Sequence, residues 1–193
     1  MERIPEIKNI VEIGPEGNPV FHRFRNGELG NLEEGSRYVA IDCEFGEIKK
    51  FSRYHGLEGY SIQGDMRNLP LPSNFADQIW LMNVFGDFRN NLKVLPNGSL
   101  QYSLDIDDVF QELARVVKKN GTIHIGEIYP PIKEVSWLTD ADYSDFGLEK
   151  KVYFGTEKVK YYSEKIGATK GIFDTLKNTR RYTQFFIELK KKG

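Results

Sequence analysis

The sequence predicts an α/β protein: a Rossmann-like three-layer α/β/α sandwich around a seven-stranded, mostly parallel sheet with an antiparallel C-terminal hairpin. Three observations carry this. Short apolar runs alternate with amphipathic stretches along the 193 residues. The runs are apolar throughout, as strands covered on both faces are. Two final β-like runs follow one another across a short polar connector, which suits an antiparallel hairpin. The length fits one domain, 1–193, with enough chain to bury a core.

In order, residues 10–13 form the first strand, stopped by Gly14-Pro15-Glu16-Gly17-Asn18-Pro19. Residues 19–37 leave room for only a short helix around 20–24, so the first crossover is reduced. The second strand, 38–41, ends at Asp42, and Phe45, Ile48 and Phe51 give a weak helical stripe behind it. The third, 60–63, ends at Gly64-Asp65, and the fourth lies within 76–84. Ile106, Val109, Phe110, Leu113, Val116 and Val117 recur at spacings of three and four, which predicts one buried helix face. Asp105 is its expected N-cap, Lys118-Lys119 sit at its negative end, and Asn120-Gly121 is its expected stop. The fifth strand is 122–126. A helix over 157–166 precedes the hairpin of 169–176 and 182–189.

Composition removes several function classes. The 27 basic and 28 acidic residues leave a net charge of −1, which argues against a non-specific nucleic-acid binder. The single cysteine, Cys43, excludes an internal disulfide and a cysteine zinc site, and the three histidines stand apart. No apolar run approaches the ~20 residues of a membrane helix, and the first residues lack a signal core. The expectation is a soluble, cytoplasmic protein with no membrane association.

Three acids lie at the C-terminal ends of the first three strands, where open α/β sheets bind ligands. Glu12 precedes the first turn, whose Gly14 and Gly17 let backbone approach a ligand. Asp42 stands where a carboxylate can accept both hydroxyls of a ribose. Asp65 can accept from an exocyclic amine. Each acid alone also has a structural reading: Glu12 as a strand-end charge, Asp42 as a helix cap, Asp65 in an Asx-turn.

Taken together, these segments resemble the class I S-adenosylmethionine-dependent methyltransferases of small-molecule type. Val11-Glu12-Ile13-Gly14-Pro15-Glu16-Gly17-Asn18 resembles their first motif, an acid before a glycine-rich loop, here atypical in Glu16. Tyr38-Val39-Ala40-Ile41-Asp42 resembles the second strand, and Gly64-Asp65-Met66-Arg67-Asn68-Leu69-Pro70 the aspartate before a Leu-Pro turn. Residues 75–84 and 110–121 resemble the fourth strand and the helix and turn before the fifth. The resemblance implies S-adenosyl-L-methionine as cofactor. It implies that Glu12 orients the methionine amino group, Gly14 and Gly17 pass beside it, and Asp42 holds the ribose. Cys43 would lie beside the adenine, Asp65 would bind its amine, the Met66 backbone N–H its ring, and Asn83 would sit near the methionine end.

Residues 87–103, with a hairpin around Asn97-Gly98, and 129–155, rich in aromatics, are candidate substrate cover. The competing reading packs those aromatics into the core. The Asn/Asp-Pro-Pro-aromatic signature of amino-group methyltransferases is absent; Asn83-Val84-Phe85-Gly86 stands there. Asp87, Glu127 and His124 are near in chain order, and no catalytic residue is assigned among them. Glu16 and the reduced first crossover favour an alternative: a catalytically degenerate module of this fold that binds a partner or nucleotide without turnover. A nicotinamide-dependent oxidoreductase is weaker, because the first loop lacks G-x-G-x-x-G.

Overall fold

The structure, a computed structural model, describes residues 8–15, 36–44, 46, 48–49, 61–82, 84–85, 92–94, 96, 100–102, 105–127, 137–154 and 185–193. The strands are β1 (Asn9–Ile13), β2 (Arg37–Asp42), β3 (Ser61–Gln63), β4 (Ala76–Met82), β5 (Leu92–Val94), β6 (Leu100–Tyr102), β7 (Val117–Glu127), β8 (Leu148–Phe154) and β9 (Phe185–Lys191). Seven of them make one sheet in the order β3-β2-β1-β4-β7-β9-β8. The first five of that row are parallel, and β9 runs antiparallel to both β7 and β8. This is the expected Rossmann-like sheet. β5 and β6 form a separate antiparallel pair, the hairpin read from the sequence around Asn97-Gly98.

Alternation along each strand sorts the side chains by face. Val11, Ile41, Ile79, Leu81, Ile123 and Ile125 join one apolar cluster with the helix α1 (Ile106–Val116). That helix buries Val109, Phe110, Leu113, Ala114 and Val116, the stripe its spacing predicts. Burying each large side chain contributes on the order of 1.5–3 kcal/mol. Asp105 is its N-cap, with its carboxylate accepting from Asp107 N and Asp108 N. The opposite face is also buried, at Ile10, Tyr38, Ala40 and Trp80, and it carries Glu12, Asp42 and His124. Both faces are therefore covered, which is why the strands read as apolar throughout.

Two element readings need correction. α1 ends at Val116, before Lys118-Lys119, because Val117 turns extended while its N–H still donates to Leu113 O. Val117 then pairs with Ala76, and Asn120 (φ 64°) and Gly121 shape an irregularity in β7 instead of stopping a helix. A Cβ on Gly121 would stand 2.8 Å from Val117 Cγ2 and 2.9 Å from Lys118 O, so that loop is too tight for a side chain. The antiparallel partner of β9 is β8, within 129–155, whereas 169–176 lies outside the described residues. So do the helices expected over 20–24 and 157–166. Of the stripe behind β2, Ile48 is helical and buried, and Phe45 and Phe51 are outside the described residues.

The aromatics of 137–146 pack inward. Tyr143 is buried with its hydroxyl donating to Leu138 O at 2.8 Å, and its ring meets Phe110 edge-on at 4.6 Å. Trp137 and Phe146 lie against the same core.

Candidate functional site

The chain direction across the sheet reverses between β1 and β4: β2 and β3 lie to one side, β7 to the other. The loops leaving the C-terminal ends of β1 and β4 therefore flank the switch point, where open α/β sheets bind ligands. Gly14 begins the first of these loops. Its φ of 66° is left-handed, its N–H donates to Ile41 O at 2.8 Å, and a Cβ on it would stand 3.0 Å from Val84 Cγ2. The turn is thus tied to the end of β2 and laid against the loop after β4, at a position that favours glycine. Gly17, and Glu16 with it, lies outside the described residues.

Glu12 stands one pleat below that turn and is 2% exposed. The Tyr38 hydroxyl, from β2, donates to its Oε2. Glu12 is in register with Ala40, so Asp42, two residues further along β2, shares its face one step closer to the edge. Asp42 is buried, and its Oδ1 accepts from Glu44 N at 2.8 Å. That bond closes an Asx-turn after β2, and the first helical bond among the described residues, Ile48 N to Glu44 O, begins two residues later, so Asp42 is not the helix cap.

Cys43 follows on the surface, its carbonyl accepting from Gln63 Nε2 at 3.1 Å. Partial burial pushes its thiol up, and Asp42 and Glu44 push it further, with Asp65 adding to them. The thiol is accordingly not an activated nucleophile.

Asp65, beyond β3, is held by Arg67. Arg67 N donates to Oδ1 at 2.9 Å, Nε reaches both oxygens at 3.0 Å, and Nη2 reaches Oδ2 at 2.5 Å. The carboxyl is lowered by these side-chain bonds first, against the opposing effect of burial. Met66 sits in the same turn, packed against the core.

The turn is braced from behind by α1. Leu69 N donates to Glu112 Oε1 at 2.6 Å, and Arg115 Nη2 donates to Leu69 O at 3.2 Å and Leu71 O at 2.9 Å. Glu112 and Arg115 are themselves paired at 2.6 Å. The Arg115 guanidinium holds the Glu112 carboxyl below its ordinary range.

At the end of β7, buried Glu127 accepts from Phe85 N at 2.9 Å and ties the loop after β4 to that strand. His124 lies deeper, in register with Trp80 and stacked on it at 4.1 Å, so it is a packed sheet residue. Asn83 and Asp87 are outside the described residues. Among the described residues no group of acids, histidines and cysteines could hold a metal ion.

Sequence reasoning placed Glu12, Gly14, Asp42, Cys43, Asp65 and Met66 along this edge. It missed the partners: Tyr38, Arg67, the Glu112–Arg115 pair, and the tie from Glu127 to Phe85. Arg67, two residues after an acid, was open to an Asx-turn argument. The Glu112–Arg115 pair, three apart on the expected helix, was open to an i,i+3 argument; what that pair braces, and the remaining partners, depend on strand register or on contacts more than 25 residues apart, which leave no local signal.

Comparison with known proteins returns one family model, the "Methyltransferase domain", over residues 27–125. No curated protein sequence matches. Several solved structures share the fold. The YcgJ protein from Bacillus subtilis aligns at a TM-score of 0.56 and 13% identity, over 99% of this chain and 94% of its own. Geranyl diphosphate C-methyltransferase from Streptomyces coelicolor A3(2), solved with Mg2+, geranyl diphosphate and S-adenosyl-L-homocysteine, aligns at 0.53 and 14%, over 96% and 74%. The [4+2]-cyclase SpnF aligns at 0.53 and 16%, over 98% and 77%. At these identities the likeness is one of fold.

Proposed function

Because the chain belongs to the methyltransferase-domain family, we propose that it binds S-adenosyl-L-methionine along the C-terminal edge of β1, β2 and β3 and transfers its methyl group to a small-molecule acceptor. The observation that supports this most is the diagonal pair of buried acids, Glu12 and Asp42, on one face beneath a glycine turn. Burying two carboxylates is costly, and buried acids together at a sheet's C-terminal edge are functional-site candidates.

The donor set suits this cofactor, which carries an ammonium group, a sulfonium and a ribose but no phosphate. Glu12 holds the ammonium group. Gly14 lets the backbone run alongside, since a Cβ there would already press on Val84. Asp42 accepts the ribose hydroxyls, Cys43 and the Met66 N–H flank the adenine, and Asp65 accepts from its amine. Gly17 and Asn83 complete the methionine end in this reading. When bound, the cofactor supplies an electrophilic methyl on a sulfonium; the protein's part is to hold it in line with the acceptor and keep water away. Residues 87–103 of a single 1–193 domain are the proposed cover for the acceptor, in a protein of the cytoplasm; of the other candidate, 129–155, residues 137–146 pack on the core and 148–154 form β8. No helix among the described residues is long and apolar enough to cross a membrane.

A second reading, a module of this fold that binds without turnover, is favoured by one observation: Asp65 already has a guanidinium on both oxygens. Titration calorimetry with S-adenosylmethionine and S-adenosylhomocysteine separates the two. Binding that Asp42→Ala weakens by about a hundredfold, the loss of two charge-assisted hydrogen bonds, supports the enzyme. Silence at millimolar ligand supports the module.

A further inference from the structure

We propose that Tyr38 is a positioning residue for the amino-acid end of the cofactor, acting through Glu12; this rests on the site reading given above. Tyr38 stands in register with Ile10, two residues short of the Ala40–Glu12 pair, on the face that carries Glu12. Its ring is 5% exposed, and its hydroxyl donates to Glu12 Oε2.

Glutamate has three side-chain torsions, and freezing them during binding would weaken the complex. The hydroxyl fixes the plane of the carboxylate before any ligand arrives. It does so without carrying charge. A lysine or arginine in its place would orient Glu12 equally well but cancel the negative charge that an ammonium group needs. Tyrosine packs in the sheet and donates without adding a positive charge beside Glu12.

The experiment uses the full chain and two ligands that share an adenosine half: S-adenosylhomocysteine, and 5′-methylthioadenosine, which lacks the amino-acid end. Tyr38→Phe keeps the ring and removes the donor. It should weaken S-adenosylhomocysteine about five- to tenfold, as having to immobilise one side chain on binding does, and leave methylthioadenosine within about twofold. In a Glu12→Leu background, which removes the acceptor, the same substitution should change S-adenosylhomocysteine affinity by less than about twofold, because the group it acts through is gone. Equal weakening of both ligands, equal losses in the two backgrounds, or no loss at all overturns the proposal. A wild-type chain that ignores both ligands removes the site reading itself, which is a different failure. Thermal unfolding of each variant, expected within a few degrees of wild type, shows that folding is not what changed.

Discussion

The turns after β1 and after β3 each present an acid at the same edge of the sheet, and they hold it in opposite ways. Glu12 is buried, and its aromatic partner Tyr38 is neutral. Asp65 is 43% exposed, and its partner is a guanidinium. The hydroxyl orients the buried carboxylate and adds no cation beside it. An exposed carboxylate given a cation is nearly neutralised and serves as a shaped acceptor. The two suit the two ends of the proposed ligand, one an ammonium and the other a neutral amine. The turns also differ in support. The first is fixed by its own backbone, through Gly14 and Ile41 O; the second is braced from α1 by Glu112 and Arg115.

That difference in support can be broken from either side. Arg115→Met should cost most, about 2 kcal/mol in urea unfolding, because Leu69 O, Leu71 O and Glu112 lose one shared donor. A change below about 0.5 kcal/mol would mean that the turn after β3 stands without its brace. Gly14→Ala should cost about 1–2 kcal/mol, from the left-handed φ and the approach to Val84. Gly14→Asn, which tolerates that φ better, should cost less in strain. Equal losses for Ala and Asn would point to the contact with Val84 in place of the backbone.

The sheet was legible because its signals are local: apolar runs of strand length, a helical stripe ending near Val116, an N-cap at Asp105. The positions of Glu12, Asp42 and Asp65 followed from strand ends alone. What the acids are bonded to did not. Tyr38 reads as one more apolar strand residue until β1 and β2 are set in register, and Arg115 reads as an ordinary basic residue in the last turn of a helix. The partner of β9 was misplaced for a related reason. Residues 148–154 begin Leu-Glu-Lys-Lys, a polar half-exposed edge strand, and such a strand lacks the continuous apolar signature that marks the others.

The smallest effect tests the comparison most finely. Arg67 holds the Asp65 carboxyl below its ordinary value of 3.8. A folded-state value below the unfolded one means that the pair's contribution is fully present above 3.8 and is lost as pH falls through the lowered value. With the side chains 46% and 43% exposed, that contribution is under about 1 kcal/mol and is screened by salt. The stability difference between wild type and Arg67→Gln, measured by urea unfolding, should therefore be small at neutral pH, and should fade in strong acid and at molar salt. Affinity for S-adenosylhomocysteine should hardly move, since an acceptor for a neutral amine loses nothing when its counter-ion leaves. A loss beyond about threefold, roughly 0.65 kcal/mol, would mean that the guanidinium itself meets the ligand. The acid after β3 would then be a holder of Arg67, and the contrast with Glu12 would have to be redrawn around the cation.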